Sequence, residues 1–305
     1  MKKCTLTFLT PCFCAGADQN TPEIRPASIR GELRKWLRIC GATLADETEI
    51  MGGIVNKDAK KSKVTIRVAN EFKKAAHARD LPSSTGISNS AYLLHFANPM
   101  PKDHEQNRTA DKRFIAPESS FDLIVIDKLK NDIHKVLLYK AIDAMILLGS
   151  LGLRSTRTCG AWYSEENANL TFEEIQSKLY DLDLPLEIGF LEKDNTTLIV
   201  QDWKKSIDAL GATLRCYRAS KVTGTKKLTA GKQGDNQTPL GTATPRQKSG
   251  LHLRPIQCKD GIISLLYYTD MFLDVKSKLV PFDILNDLDE DSDSKNKSLY
   301  SITPI

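Results

Sequence analysis

The sequence predicts an α+β fold with two modules, because strand-like and helix-like segments alternate twice along its 305 residues. In the first half, short runs of alternating polar and apolar residues indicate strands, and longer runs with apolar residues every three or four positions indicate helices. Their order is β-α-β-β-α-β, which is that of a ferredoxin-like (RRM-like, βαββαβ) unit. The second half repeats this order less clearly. We therefore expect two such modules, packed together and carrying insertions.

The predicted first module, residues 1–165, begins with a strand and an amphipathic helix. Cys4 to Leu9 alternates polar and apolar residues and is followed by a proline, as a strand end often is. Ser28 stands where a helix N-cap is expected, and the helix runs from there to about Gly41. Lys63 to Ala69 alternates again and predicts the second strand.

The later elements of this module follow an insertion at about residues 70–120. Phe121 to Ile126 is an apolar run that predicts the third strand. Asn131 to Leu148 has helical periodicity and is closed by a glycine. Cys159 to Tyr163 predicts the fourth strand. The first module therefore contains all six elements of the unit.

The predicted second module covers residues 166–285. Its clearest helix is the amphipathic segment Trp203 to Arg218, and the strands after it flank the turn Asp260-Gly261, which is typical of a hairpin. A long polar loop, residues 219–249, separates the helix from this hairpin. The remaining residues, 286–305, contain many acids and are expected to form a solvated tail.

Composition excludes several classes of protein. A hydrophobic content of 41% supports real cores, and no apolar run approaches the ~20 residues of a membrane-spanning helix. No signal-peptide pattern follows the N-terminus, and the seven cysteines are scattered without a CxxC pair. We expect a reduced, cytoplasmic protein with no membrane contact, no metal and no cofactor. The net charge of +5 is mild, so the argument for nucleic-acid binding depends on where the charge lies.

The first helix carries basic residues in a regular pattern. Arg30, Arg34 and Arg38 recur every four residues, which predicts a row of guanidinium groups along one face. Ser28 and the first-turn N–H groups suit a phosphate oxygen, and Gly31 lets a backbone approach closely. The candidate contacts for nucleic acid in this helix are Arg25, Ser28, Arg30, Gly31, Arg34 and Arg38. The alternative is an arginine face that is only solvated.

The segment Gly149 to Gly160 is rich in glycine, hydroxyl groups and positive charge. Its glycines free the backbone to offer N–H groups to phosphate, and its arginines supply charge. It lacks the GK[ST] of a Walker loop and follows a helix, whereas that motif follows a strand. The candidate contacts are Gly149, Gly152, Arg154, Ser155 and Arg157. The alternative is a helix C-cap with a flexible turn.

The polar loop at 219–249 is also basic. Its candidate contacts are Lys221, Lys226, Lys227, Arg246 and Lys248. A loop of this length within a domain is usually functional or disordered, and here it is predicted to order on a polyanion. A solvated insertion is the alternative.

Evidence for catalysis is weaker. The five histidines show no metal-ligand spacing and no HExxH pattern. His134 on a helix and His252 on a strand are both expected to be structural. The residues assemble no acid–base pair, so the chain is predicted not to be an enzyme.

Two stretches resemble a known family. The strand ending at Leu9–Pro11, the loop with Gly16-Ala17-Asp18 and the helix region Glu23–Arg38 resemble the opening of the first subunits of the Cmr complex. Gly149–Trp162 looks like the glycine-rich loop of the same family. The Cmr complex is the type III-B CRISPR effector, and these subunits belong to the RAMP superfamily. In this chain Trp36-Leu37 stands where the family often has two tryptophans.

The resemblance implies an RNA-binding subunit without catalysis. It implies a place at the head of a ribonucleoprotein that acts in antiviral defence. There the chain would grip guide RNA (crRNA) near its 3′ end, help to capture target RNA and contact other RAMP subunits. Carried over by position, Arg30, Arg34, Arg38, Gly152, Arg154 and Arg157 would hold RNA phosphates.

Two other functions remain open. One is a metal-independent endoribonuclease of the same superfamily that processes precursor guide RNA. It would require a histidine or tyrosine near the glycine-rich segment. The other is a scaffold that mainly joins protein subunits.

Overall fold

The first module is an antiparallel sheet with two helices packed on one of its faces. The computed structural model describes residues 1–18, 21–55, 57–77, 81, 93–94, 113–219, 249–269 and 301–305. Over both modules, the helices are α1 (Pro26–Ile39), α2 (Leu44–Met51), α3 (Asp132–Leu148), α4 (Glu165–Ala168), α5 (Phe172–Asp181) and α6 (Trp203–Ala219). The strands are β1 (Lys2–Phe8), β2 (Gly53–Val55), β3 (Asp58–Lys60), β4 (Val64–Phe72), β5 (Ala75–His77), β6 (Arg113–Ile115), β7 (Ser120–Asp127), β8 (Trp162–Ser164), β9 (Glu187–Lys193), β10 (Thr196–Thr197), β11 (Ile199–Val200), β12 (Leu251–Cys258), β13 (Gly261–Tyr268) and β14 (Ser301–Pro304).

The strands of the first sheet lie in the order β4-β7-β1-β8, and all neighbours are antiparallel. Alternation along the strands decides which face is covered, because successive side chains point to opposite faces. Leu6 and Phe8 of β1 and Phe121 of β7 are buried with α1 and α3. With its helices, this is the order of a ferredoxin-like unit, as predicted.

The second sheet repeats the same strand order. Gly189 of β9 pairs with β13 on one edge and with β14 on the other, and β13 pairs with β12 on its far edge. The order β14-β9-β13-β12 again places the fourth strand beside the first and the third between the first and second. Helix α6 packs against β12 and β13 through Ile207, Leu210 and Leu214. Residues 270–300 lie outside the described residues.

Two local predictions differ from the structure. The N-cap of α1 is Arg25, with no side-chain hydrogen bond, and Ser28 lies inside the first turn. The helix begins earlier than predicted because Pro26 has the φ angle that a first helical residue needs. Residues 286–305 are not all a solvated tail, since Ser301–Pro304 forms β14 and Ile302 is buried against β9.

The two modules share buried side chains. Trp36 of α1 packs against Tyr267 of β13, with ring centroids 5.9 Å apart. The buried guanidinium of Arg254 on β12 donates to the carbonyl oxygen of Trp162 on β8 at 2.8 Å. One continuous apolar cluster contains residues of both sheets. Among the described residues, no helix is long and apolar enough to cross a lipid bilayer.

Candidate nucleic-acid interface

A single apolar face fixes how α1 lies on the first sheet. Ile29, Leu33, Trp36 and Leu37 recur at helical spacing and are fully buried. The basic residues of α1 are therefore left to the two flanks of the helix and to its outer face. Each flank meets a different part of the molecule.

The row of arginines faces α2 and the segment that leads into β4. The Arg30 guanidinium donates to the carbonyl oxygens of Met51 at 3.3 Å and Val64 at 3.1 Å. Arg34 donates to the carbonyl oxygens of Met51 at 3.2 Å and Gly52 at 2.6 Å. The bonds to Met51 and Gly52 satisfy carbonyl groups at the end of α2, which have no partner within the helix.

Glu47 on α2 carries the negative charge that opposes this row. Its side chain is 1% exposed and forms ion pairs with Arg34 and Arg38. Burial raises the pKa of Glu47, but the hydrogen bonds from Arg38 and Arg34 outweigh it and hold this pKa below its ordinary value. The arginine row thus fastens α2 to α1.

Glu47 lies outside the arginine helix, so the spacing of residues within that helix does not reveal it. A signal was present. Thr43 and Asp46 form a capping box that starts a new helix shortly after α1 ends. Recognising that box places Glu47 in the first turn of a helix that packs back on the arginines.

The glycines of the Gly149 to Gly160 segment serve its own tight path. Gly160 has a φ of +64°, and a Cβ there would lie 1.9 Å from the Leu151 carbonyl oxygen. Gly152 has a φ of +87°, and its Cβ would lie 2.5 Å from the Phe13 carbonyl oxygen. Only glycine adopts such geometry without strain. The segment therefore folds on itself and lies against the chain that follows β1.

Arg157 was predicted to contact phosphate, and the structure buries it instead. It is 5% exposed. Its guanidinium donates to the Leu251 carbonyl oxygen at 2.9 Å and to Ser249 Oγ at 3.0 Å. It joins the glycine-rich segment to β12 of the second module. Gly149 is buried as well, and a Cβ there would meet the Met145 carbonyl oxygen at 2.2 Å.

The tip of the glycine-rich segment remains exposed. Gly152, Leu153 and Arg154 face solvent, and Ser155 behind them is half-buried. The Leu153 N–H donates to the Phe13 carbonyl oxygen at 2.9 Å, which fixes the tip on the first module.

The same tip lies beside the start of α1. Next to Phe13, the Cys14 thiol donates to Ser28 Oγ at 3.8 Å, and the Cys14 carbonyl oxygen accepts from the Glu23 N–H at 2.9 Å. Arg25 at this helix start is exposed, and so is Gly31 almost two turns further along. We call the surface formed by Arg25, Ser28, Gly31, Gly152, Arg154 and Ser155 the tip surface; its two serines are half-buried and its other residues are exposed.

The arginine row and the tip surface do not form one strip. The Ser150 N–H, at the start of the glycine-rich segment, donates to Glu32 on α1 at 3.4 Å. At ~100° per residue, Glu32 lies about 200° around the helix from Arg30 and Arg34. Arg30 and Arg34 therefore point away from the side of α1 that meets the glycine-rich segment, because each flank contacts a different neighbour. That the row and the segment face one RNA strand together stays a prediction.

The loop candidates Lys221, Lys226, Lys227, Arg246 and Lys248 lie outside the described residues. The two histidines singled out earlier have structural surroundings. His134 Nε2 lies 3.2 Å from Asp46 Oδ1, and His252 is buried and stacks on Tyr267 with ring centroids 4.4 Å apart. Within the described ranges, no three side chains of His, Cys, Asp or Glu are grouped to hold a metal ion.

Solved structures share this architecture. The fold is similar to the crystal structure of Cmr1 from Pyrococcus furiosus in its apo form. The TM-score is 0.57 and the identity 15%, over 92% of this chain and 91% of that chain. It is also similar to a chain of the cryo-EM structure of the type III-B Cmr-beta bound to cognate target RNA and AMPPnP, state 2, in the presence of ssDNA. There the TM-score is 0.55 and the identity 12%, over 93% of this chain and 97% of that chain.

A family pattern covers the region that carries the candidate interface. No curated protein sequence matches the chain. The sequence pattern of the RAMP superfamily matches residues 5–162, which is more than half of the 305 residues. This region contains α1, α2 and the glycine-rich segment. The chain belongs to the RAMP superfamily.

Proposed function

We propose that this protein is a non-catalytic RNA-binding subunit of a type III-B CRISPR (Cmr) ribonucleoprotein. It grips guide RNA near its 3′ end, helps to capture target RNA for antiviral defence and contacts other RAMP subunits. The shared fold with Cmr1 along nearly the whole of both chains supports this proposal. So does the second similar structure, which contains target RNA.

The observation that carries the proposal is the tip surface. It contains two exposed arginines, Arg25 and Arg154, together with exposed glycines and half-buried serines. Guanidinium groups form charge-assisted hydrogen bonds with phosphate oxygens. The exposed Leu153 adds apolar surface beside Arg154, suited to a sugar or base. The lysines and arginine of the 219–249 loop stay candidates for the same strand.

Contacts of this kind recognise the backbone and carry no sequence information by themselves. We therefore expect binding that does not depend on RNA sequence and that weakens steeply with salt. On single strands, the slope of log affinity against log salt is about −0.7 for each phosphate neutralised.

The test is RNA binding by the full chain with Arg25→Glu and Arg154→Glu combined. Both side chains are exposed, so the fold should persist, and the thermal unfolding midpoint checks that it does. Affinity for single-stranded RNA should fall by about tenfold or more, and the salt slope should lose about 1.4 for two phosphates. The matched control is Lys193→Glu with Lys259→Glu, which makes the same charge change at exposed lysines of the second module. Equal losses in both variants would reject the tip surface as the site.

The absence of catalysis is part of the proposal. It is supported by the engagement of His134 with Asp46 and of His252 with Tyr267. Labelled precursor guide RNA, incubated with pure protein in EDTA, should stay intact. Discrete cleavage that disappears in His134→Ala or His252→Ala would instead assign an endoribonuclease.

A further inference from the structure

A group of lysines that the sequence analysis did not single out forms a cleft at the far end of α3. The cleft has a volume of about 370 Å³ and lies between α2, the start of β4 and the turn before α3. Its lining consists of Glu49, Lys63, Lys128, Leu129, Lys130, Asn131 and His134. We call the four lysines Lys60, Lys63, Lys128 and Lys130, grouped around Glu49, the lysine cleft.

Main-chain hydrogen bonds hold this cleft together. The Lys128 N–H donates to the Lys63 carbonyl oxygen at 2.8 Å, and the Lys63 N–H donates to the Ile50 carbonyl oxygen at 3.1 Å. Three separate stretches of chain are therefore tied at one point. Lysines that are far apart in the sequence are brought together by the fold, and their position does not depend on side-chain contacts.

Positive charge exceeds negative charge in the lysine cleft. Glu49 is the one carboxylate in its lining, and it forms ion pairs with Lys60 and, at 3.2 Å, with Lys63. Hydrogen bonds from Lys60 and Lys63 lower the pKa of Glu49. The ammonium groups of Lys128 and Lys130 are exposed and have no ion pair within the described part of the chain. Such a concentration of one sign attracts a polyanion.

The remaining charged groups at the rim leave this excess in place. His134 faces Asp46 at 3.2 Å, and Asp132 in the first turn of α3 pairs with Lys135 at 3.1 Å. Each acid there already has its own basic partner. Arg30 and Arg34 on α1 differ, because backbone carbonyls and, for Arg34, the buried Glu47 occupy their guanidinium groups.

We propose that the lysine cleft is a second phosphate-backbone site, which binds a stretch of RNA distinct from the one held by the tip surface. Lysine ammonium groups bind phosphate as point charges without strict geometry, so the site is independent of sequence. The identification of the polyanion as RNA rests on the proposed function. The excess positive charge of the cleft is observed independently of that function.

The length of α3 sets the spacing of the two sites. The cleft lies at the N-terminal end of α3, and the glycine-rich segment follows its C-terminal end. Seventeen residues rise about 25 Å along the helix axis. This corresponds to roughly seven phosphates of a stacked strand at about 3.4 Å each. An RNA of about 20 nucleotides therefore spans both sites, and one of about four nucleotides occupies one site at a time.

The experiment compares these two RNA lengths in the full chain carrying Lys128→Glu and Lys130→Glu. For linked sites, losing one removes the gain from binding both ends. Affinity for the long RNA should fall about tenfold, with a salt slope smaller by about 1.4, while the short RNA should lose no more than about twofold. The control is again Lys193→Glu with Lys259→Glu, and circular dichroism checks the fold.

A variant that is expected to raise the RNA affinity, instead of lowering it, sharpens the test. Glu49→Gln removes the competing carboxylate and releases Lys60 and Lys63 to phosphate. Affinity for the long RNA should rise about two- to threefold, the size of an exposed ion pair. If the lysines are only solvated and bind no phosphate, the affinity for the long RNA should not rise.

Four outcomes decide between this site, the tip surface and neither. If the variant Lys128→Glu with Lys130→Glu kept the wild-type RNA affinity and salt slope, the proposal would be overturned. The same holds if this variant failed to bind an acidic partner subunit while its RNA binding was unchanged. Loss in this variant without loss in Arg25→Glu with Arg154→Glu would keep the lysine cleft and reject the tip surface. A wild-type chain that binds no RNA would reject both.

Discussion

The two flanks of α1 carry the same kind of side chain in different surroundings. On one flank, Arg30 and Arg34 donate to backbone carbonyls, and Arg34 also pairs with Glu47, so their hydrogen-bonding capacity is used within the chain. At the start of the helix, beside the other flank, Arg25 faces solvent next to the tip that carries Arg154. The comparison shows that helical spacing identifies which arginines share a face. It does not identify what lies against that face.

Because Glu47 is buried, the two flanks of α1 also differ in how much they contribute to stability. Glu47 is almost completely removed from water, and a carboxylate in that position is stable only while its cationic partners remain. The arginine row therefore stabilises the fold by compensating a buried charge, whereas Arg25 and Arg154 of the tip surface are exposed to solvent. Substitutions on the two sides should separate stability from RNA binding.

Reversing two charges in the row should damage the fold most. In Arg30→Glu with Arg34→Glu, the carbonyls of Met51 and Gly52 lose their donors and two carboxylates are placed near Glu47. We expect the free energy of unfolding to fall by about 4 kcal/mol or more. Urea denaturation measures this. The helical spacing of the arginines alone predicts instead that this variant folds normally and no longer binds RNA. A wild-type urea midpoint would support that alternative.

A milder change, Glu47→Gln, should cost about 2 kcal/mol through weakened hydrogen bonds to charged groups. It should also alter the pH dependence of stability. Because folding lowers the pKa of Glu47, its contribution is present above the ordinary value near 4.5 and is lost as the pH falls through the folded value. Free energies of unfolding measured from about pH 6 to pH 3 should decline less in the variant. An identical decline would show that Glu47 is not ionically paired.

The smallest effect is expected at Gly31, and it has the opposite sign. A Cβ at this position meets nothing within 4 Å, so Gly31→Ala should stabilise α1 by about 0.5–1 kcal/mol. If RNA approaches the outer face of α1, the same methyl group should weaken RNA binding. Thermal unfolding and RNA titration of one variant measure both. Increased stability with unchanged affinity would remove Gly31 from the tip surface.

The first module was largely predictable, because its elements are long enough for periodicity to be read. The helix predicted from Asn131 to Leu148 is observed at Asp132–Leu148, and β4 and β7 lie within a few residues of prediction. Strands such as β11 and β14, with two and four residues, are too short for a pattern. Their pairing with β13 and β9 is decided by tertiary contacts.

The candidate site was predictable in composition but not in arrangement. The basic residues and glycines of the candidate site can be read directly from the sequence. Their partners cannot, because these lie far along the chain: Arg157 binds Leu251, 94 residues later. Gly152 and Gly160 indicated a close approach, and the structure shows that protein backbone is what approaches them. A sequence gives the capacity to form contacts, and the fold decides which are made internally.

Two single substitutions, Arg34→Ala and Arg154→Ala, test which flank of α1 holds RNA. Affinity for single-stranded RNA should be measured at a temperature at which both variants are folded. We predict that Arg154→Ala weakens binding while Arg34→Ala keeps the wild-type affinity and only unfolds more readily. Weaker binding in folded Arg34→Ala, together with wild-type binding in Arg154→Ala, would contradict this assignment.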